Sequence, residues 1–189
     1  MRILVFLSLL VLPILSFGVD GDLRIRVGVF GFTSRTARKI YGGAAPDIEL
    51  QGDFYVRSFF NPWINVNYVW KEGKSEGLKD KTYFQLGTLS IGFNLLFPHY
   101  KFFQFYIGPG FSSAYLHTTD RSNYLPKTTG RFSVGVVGKG GFLIPLYRNL
   151  VLDLFFDYYY QPVRTRSSLS ERQINVGGFR TGGGLGWKF

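Results

Sequence analysis

The sequence predicts an all-β protein, an eight-stranded antiparallel up-and-down barrel. Three observations predict it. Aromatics are 19% of the chain and Gly contributes 24 residues, yet no stretch after residue 18 is apolar for long enough to make a membrane helix. The apolar residues instead alternate with polar ones at period two, the period of a strand. The connections between alternating segments are by turns long and short, as in a meander with its long loops at one end.

The first eighteen residues stand outside this pattern. MRILVFLSLLVLPILSFG has one basic residue, Arg2, before an apolar run from Ile3 to Phe17, with small residues at Ser16 and Gly18. This reads as a secretory signal peptide, 1–18, with cleavage after Gly18. The run is short for a transmembrane helix, which needs ~20 apolar residues, and Pro13 weakens it further. Residues 19–189 form one domain. The absence of cysteine removes disulfides and thiolate metal sites from an exported protein. The formal charge of +10 becomes +9 without Arg2. Nucleic acid is not a partner an exported protein meets routinely, so anionic lipid or lipopolysaccharide phosphate is the expected one.

Each strand follows from its alternation. In 22–32, Leu23, Ile25, Val27 and Val29 oppose Arg24, Arg26 and Gly28. In 47–57, Ile48, Leu50, Phe54 and Val56 oppose Asp47, Glu49, Gln51, Asp53 and Arg57. In 63–70, Ile64, Val66, Tyr68 and Trp70 oppose Asn65, Asn67 and Val69. In 83–96, Leu89, Ile91, Phe93 and Leu95 oppose Thr88, Ser90, Gly92 and Asn94. In 102–116, Phe103, Phe105, Ile107 and Phe111 oppose Gln104, Tyr106, Gly108 and Gly110. In 130–144, Phe132, Val134, Val136 and Phe142 oppose Arg131, Ser133, Gly135, Lys139 and Gly141. In 150–160, Leu152, Leu154, Phe156 and Tyr158 oppose Asp153, Phe155, Asp157 and Tyr159. The eighth strand starts near Arg172, where Ile174 and Val176 are out of phase with Phe179, Leu185, Trp187 and Phe189. A β-bulge at Gly177–Gly178 would reconcile them.

The short connections fall at Asn61–Pro62, Pro98–Lys101 and Pro145–Asn149, each with a proline that cannot extend a ladder. The long ones fall at Thr33–Pro46, Lys71–Lys81, Thr118–Thr129 and Gln161–Glu171. Tight turns at one end and longer loops at the other mark an outer-membrane barrel with its turns in the periplasm. A soluble lipocalin-like barrel also alternates, with its apolar face turned inward around a lipid. Aromatics near the strand ends favour the membrane: Phe59, Phe60, Trp63, Trp70, Tyr100, Phe102, Tyr158 and Trp187. The charges then face inward, and Arg24, Arg26, Glu49, Asp53, Arg57, Lys139, Asp153, Asp157 and Arg180 are expected to pair there. Tyr55, Tyr106, Phe155 and Tyr159 complete the filling, because eight strands leave room only for side chains.

The chain ends LGWKF, with Leu185, Trp187 and Phe189 on one strand face. This end resembles the C-terminal signal that the barrel-assembly machinery recognises on outer-membrane proteins. With FQFYIGPGFSSAYLH, residues 103–117, the mature chain resembles the eight-stranded outer-membrane barrels typified by the OmpA transmembrane domain, OmpX and the opacity-protein adhesins. The resemblance implies a transmembrane barrel in the cell outer membrane; because the sequence stops at the barrel, no C-terminal peptidoglycan-binding domain is expected.

Motifs for chemistry are sparse. GVVGKGG (135–141) and GGGLG (182–186) lack P-loop spacing. Gly135, Gly141, Gly182, Gly184 and Gly186 read instead as inward residues that relieve crowding. Two distant histidines, His99 and His117, supply no metal cluster, and no cofactor is expected. His117 with Thr119 and Glu171 mimics the rim histidine and hydroxyl of lipid A-modifying barrels, one alternative function. The long loops carry Arg35, Arg38, Lys39, Arg121, Lys127, Arg164, Arg166 and Arg172, cations suited to lipopolysaccharide phosphate or an external partner. The expected function is therefore structural or adhesin-like, through the long loops. A narrow channel for small or hydrophobic solutes is the other alternative.

Overall fold

A computed structural model describes residues 20–57, 59–74, 81–120, 128–167 and 170–189, with backbone alone at 120, 164–167 and 170–173. The predicted leader, 1–18, lies outside the described residues. The chain winds β1 (Gly21–Phe32), α1 (Arg35–Tyr41), β2 (Ala44–Phe54), β3 (Phe60–Lys74), β4 (Lys81–Leu96), β5 (Gln104–Asp120), β6 (Thr128–Tyr147), β7 (Leu150–Tyr160), β8 (Pro162–Ser167), β9 (Ser170–Asn175) and β10 (Gly178–Lys188). Eight strands close a barrel in the order β1-β10-β7-β6-β5-β4-β3-β2, and β8 and β9 form a separate hairpin. Every barrel pair is antiparallel, and β1 seals against β10 with Leu23 opposite Trp187 and Ile25 opposite Leu185.

The two faces separate as period two requires. Leu23, Ile25, Val27 and Val29 point outward on β1, as do Leu89, Ile91 and Leu95 on β4 and Phe132, Val134 and Val136 on β6. Arg24, Arg26, Asp47, Glu49, Gln51, Asp53, Asn65 and Asn67 point into the lumen and are buried. This is the inverse of a lipocalin-like arrangement, whose apolar face lines the interior.

Four expectations change. Residues 172–175 belong to the β8–β9 hairpin, so the phase break at Gly177–Gly178 separates two sheets and is not a bulge within one strand. Pro62 and Pro145 lie inside β3 and β6; the connections there are 55–59 and 148–149. Both prolines sit near strand ends, where few ladder bonds are lost, and the register shifts between Pro145 and Tyr147. Trp63 is buried rather than part of an outer girdle. It is in phase with Asn65 and Asn67, and Gly92 and Gly110 leave it room: a Cβ on either would fall 2.6 Å from its ring. Arg57 is exposed, because β2 ends at Phe54 and Arg57 stands in the following turn.

Candidate functional site

Inside the barrel, six carboxylates (Asp22, Asp47, Glu49, Asp53, Asp153, Asp157) and four cations (Arg24, Arg26, Lys139, Arg180) are buried. Glu49 is their hub. Its Oε1 accepts from Arg26 at 2.8 Å and from Lys139 at 2.9 Å, and its Oε2 accepts from Asn65 at 2.9 Å and from Arg180. Arg26 also donates through Nε to Asp153 at 2.7 Å and through Nη2 to the Tyr106 hydroxyl, which in turn donates to Asp153 at 3.0 Å. Arg180 donates to Asp47 through Nε at 2.8 Å. Arg24 meets Asp22 at 2.7 Å, and Asp53 accepts from Asn94 at 2.8 Å and Gln51 at 2.6 Å. Buried charges need such multiple partners to offset lost hydration. Asp22 and Asp47 join the network beyond the residues expected there; each is in phase with an inward neighbour, Arg24 or Glu49, so period two alone finds them.

Local sequence makes room for these long side chains. Gly184 and Gly186 sit opposite Arg26 and Arg24, and a Cβ on either glycine would fall 2.8 Å from the arginine Cγ. Tyr106 lies over Gly141 in the same way, at 2.6 Å from its hydroxyl. Phe155 lies under the Arg26 guanidinium, 4.5 Å from ring centroid to Cζ, and the Lys139 ammonium lies 4.4 Å from the Trp63 ring. Tyr106, Phe155 and Tyr159 are buried; Tyr55 is half-buried beyond the end of β2 and donates to Asp22. Burial, and then the Asp22 carboxylate, push the Tyr55 phenol up, so it stays protonated as a donor.

Toward the long-loop end the filling turns apolar. Phe30, Phe32, Ala45, Val69, Phe84, Leu86 and Ala114 from the wall pack with Val163 of the hairpin and with Val176. Ala37 and Tyr41 of α1 pack onto this cluster, with Tyr41 5.1 Å from the Phe84 ring. Their docking holds α1 across the barrel end and leaves Arg35, Arg38 and Lys39 exposed on its outer side. The helix ends at Gly42, φ +80°, a C-cap that favours glycine.

The remaining predicted residues scatter. Thr119 Oγ1 is 3.4 Å from His117 Nε2, and both are on the outward face of β5. His117 lines an open notch of about 310 Å³ on the outer wall with Tyr68, Gln85, Gly87 and Tyr115. Glu171 is in β9, and its side chain lies outside the described residues, like those of Arg164, Arg166 and Arg172. Arg121 and Lys127 also lie outside them. Leu185 and Trp187 point outward, and Phe189 pairs with Gly21 through two backbone hydrogen bonds of 3.0 and 3.2 Å. Among the described residues no group of three or more His, Asp or Glu side chains has metal-holding geometry.

No family model matches the chain, and no curated protein matches it in sequence. Its backbone matches solved outer-membrane barrels. Neisserial surface protein A gives a TM-score of 0.60 at 14% identity over 90% of this chain and 96% of its own. OprG from Pseudomonas aeruginosa gives 0.60 at 14% over 90% and 97%. Ail, the attachment invasion locus protein of Yersinia pestis, solved in complex with the heparin analogue sucrose octasulfate, gives 0.59 at 11% over 90% and 99%. The chain has the fold of the eight-stranded outer-membrane barrels.

Proposed function

We propose that the protein is an integral outer-membrane barrel with a structural and surface-interaction role, displaying cations at its outer end to lipopolysaccharide or another polyanion. One observation carries this: an apolar wall faces outward all round a lumen packed with paired charges. Leu23, Ile25, Val66, Leu89, Phe111 and Leu185 are among the many outward apolar side chains, far beyond the patches a soluble monomer exposes. Hydrocarbon is the solvent that suits them.

The outer end supplies the binding chemistry. Arg35 and Arg38 stand exposed on α1, a short helix seated on the aromatic cluster through Ala37 and Tyr41. Guanidinium groups meet phosphate or sulfate bidentately, and Ail offers a structural relative whose complex contains a sulfated ligand. The packed lumen argues against the channel alternative, since Arg26, Glu49, Asp157 and Arg180 fill the cross-section and α1 lies above the ring cluster. A lipid A-modifying role would need His117 and Thr119 to act from the outward wall of β5.

Native gel mobility tests the reading. Unboiled protein from the membrane fraction should run at a different apparent mass from boiled protein, and deletion of Phe189 should abolish membrane assembly. A soluble periplasmic product indifferent to Phe189 would overturn it. Lipopolysaccharide binding should weaken about tenfold in an Arg35→Gln/Arg38→Gln double variant. Discrete single-channel conductance, or a lipid A mass change lost in His117→Ala, would move the protein to one of the alternatives.

A further inference from the structure

The opposite end of the barrel carries a second, differently built surface. The three short connections, 55–59, 97–103 and 148–149, contain Arg57, Lys101 and Arg148 and no Asp or Glu. Each cation is exposed and stands beside exposed aromatics: Arg57 by Phe59, Lys101 between Tyr100 and Phe102, Arg148 after Tyr147. Phe102, at 77%, is the most exposed large apolar side chain described. The Arg148 guanidinium lies 5.4 Å from the Tyr147 ring centroid. Lys188 stands nearby, 5.9 Å from the Tyr55 ring, and the exposed Asp20 accepts from the Tyr55 amide through its backbone carbonyl at 2.8 Å.

Backbone geometry adds an independent observation. Tyr100 and Phe103 bracket one two-residue turn, and Tyr147 and Leu150 bracket another. In both, the first central residue is a cation in the left-handed region: Lys101 at φ +33° and Arg148 at φ +38°. They are the two non-glycine residues with positive φ among those described. Glycine fits such positions without strain, and this chain uses 24 glycines elsewhere. Twice, then, a strained cation stands where glycine would be easier, the pattern of a local conformational cost held for function.

We propose that this rim docks anionic phospholipid of the inner leaflet: Arg57, Lys101 and Arg148 meet the phosphate and headgroup charge, and Phe59, Tyr100, Phe102 and Tyr147 insert among the upper acyl carbons. Phosphatidylglycerol supplies both parts, an anion above an apolar chain, and juxtamembrane cations are attracted to such a surface. Aromatic rings belong at that depth. The surface is distinct from the outer-end cations on α1, and the inference rests on the membrane reading above.

The test is unfolding of the full chain, folded into vesicles of phosphatidylcholine alone or with one-third phosphatidylglycerol, followed by gel mobility. Unfolding should be about tenfold slower with phosphatidylglycerol, and 0.5 M salt, added on the order of the charge-screening range, should erase most of the difference. In Lys101→Gly/Arg148→Gly the difference should fall to about twofold, with unfolding in phosphatidylcholine no faster than in the parent. Arg35→Gln/Arg38→Gln should keep the full difference. Equal rates in the two lipids, or a difference that survives loss of Lys101 and Arg148, overturns the inference while the membrane reading stands. A difference lost in the Arg35/Arg38 variant instead assigns it to the outer end and also overturns it. Failure to insert into any vesicle overturns the membrane reading and this inference together.

Discussion

Two regions of one lumen are filled by opposite chemistries. From Asp22 to Arg180 the interior holds charges and amides that β1, β2, β3, β4, β6, β7 and β10 point inward. Toward the long loops it holds rings and aliphatics, and there the barrel strands do not suffice: α1, Val163 and Val176 complete the packing. The charged region is specified by geometry, since each guanidinium must find several acceptors at once. The apolar region is specified by volume, and it is the part that borrows from loop segments. One fixes the cross-section of the barrel; the other seats the platform that carries Arg35 and Arg38.

The largest effect should come from the hub of the charged region. Glu49→Ala leaves Arg26, Lys139 and Arg180 short of a shared counter-charge in a dry interior, and removing one member of a buried ion network costs about 3–5 kcal/mol. The urea midpoint of the folded gel band measures it. Phe84→Ala, in the apolar region, opens a cavity against Phe32 and Tyr41. Its cost should be about 3 kcal/mol, at the low end for a buried Phe, because the surface segments beside it can settle inward. A larger loss for Phe84 than for Glu49 would reverse the comparison and make the apolar end the stronger constraint. Gly184→Ala probes the charged region from its small side: the new methyl meets the Arg26 stem at 2.8 Å, and overpacking of this kind costs about 1–3 kcal/mol.

Much of this was legible in the sequence, and the failures share a cause. Period two reports which face a residue takes, and it did so for Arg24, Glu49, Lys139, Asp157 and Arg180. It does not report where a strand stops or which strand it pairs with. Arg57 continues the β2 phase yet lies past its last barrel pair. Ile174 and Val176 alternate like the start of the last strand, yet β9 pairs with β8. Trp63 was misplaced for a different reason: bulky aromatics near strand ends suggest a girdle, whereas its phase and the facing Gly92 and Gly110 put it inside. α1 left little trace, being seven residues long with no acid in its first turn and no side-chain cap. The cations at the long-loop end were visible by type, but their seating on α1 depended on contacts of Ala37 and Tyr41 that no local pattern encodes.

The smallest effect belongs to the outer wall, and it sharpens the contrast between inside and outside. Gly138 faces outward on β6, between Pro109 of β5 and Tyr158 of β7, and a Cβ placed on it meets nothing within 4 Å. Its φ is not in the left-handed region, so alanine fits the backbone. Gly138→Ala should therefore stabilise the barrel by about 0.5 kcal/mol, chiefly by narrowing the unfolded ensemble, where the same change at Gly184 destabilises it. Paired urea titrations in one micelle would show the opposite signs. If Gly138→Ala instead costs more than about 1 kcal/mol, an outward-facing methyl with open space around it cannot account for it. Something ordered, such as a second barrel or a bound lipid, must then pack against that wall, and inside and outside would no longer differ in kind.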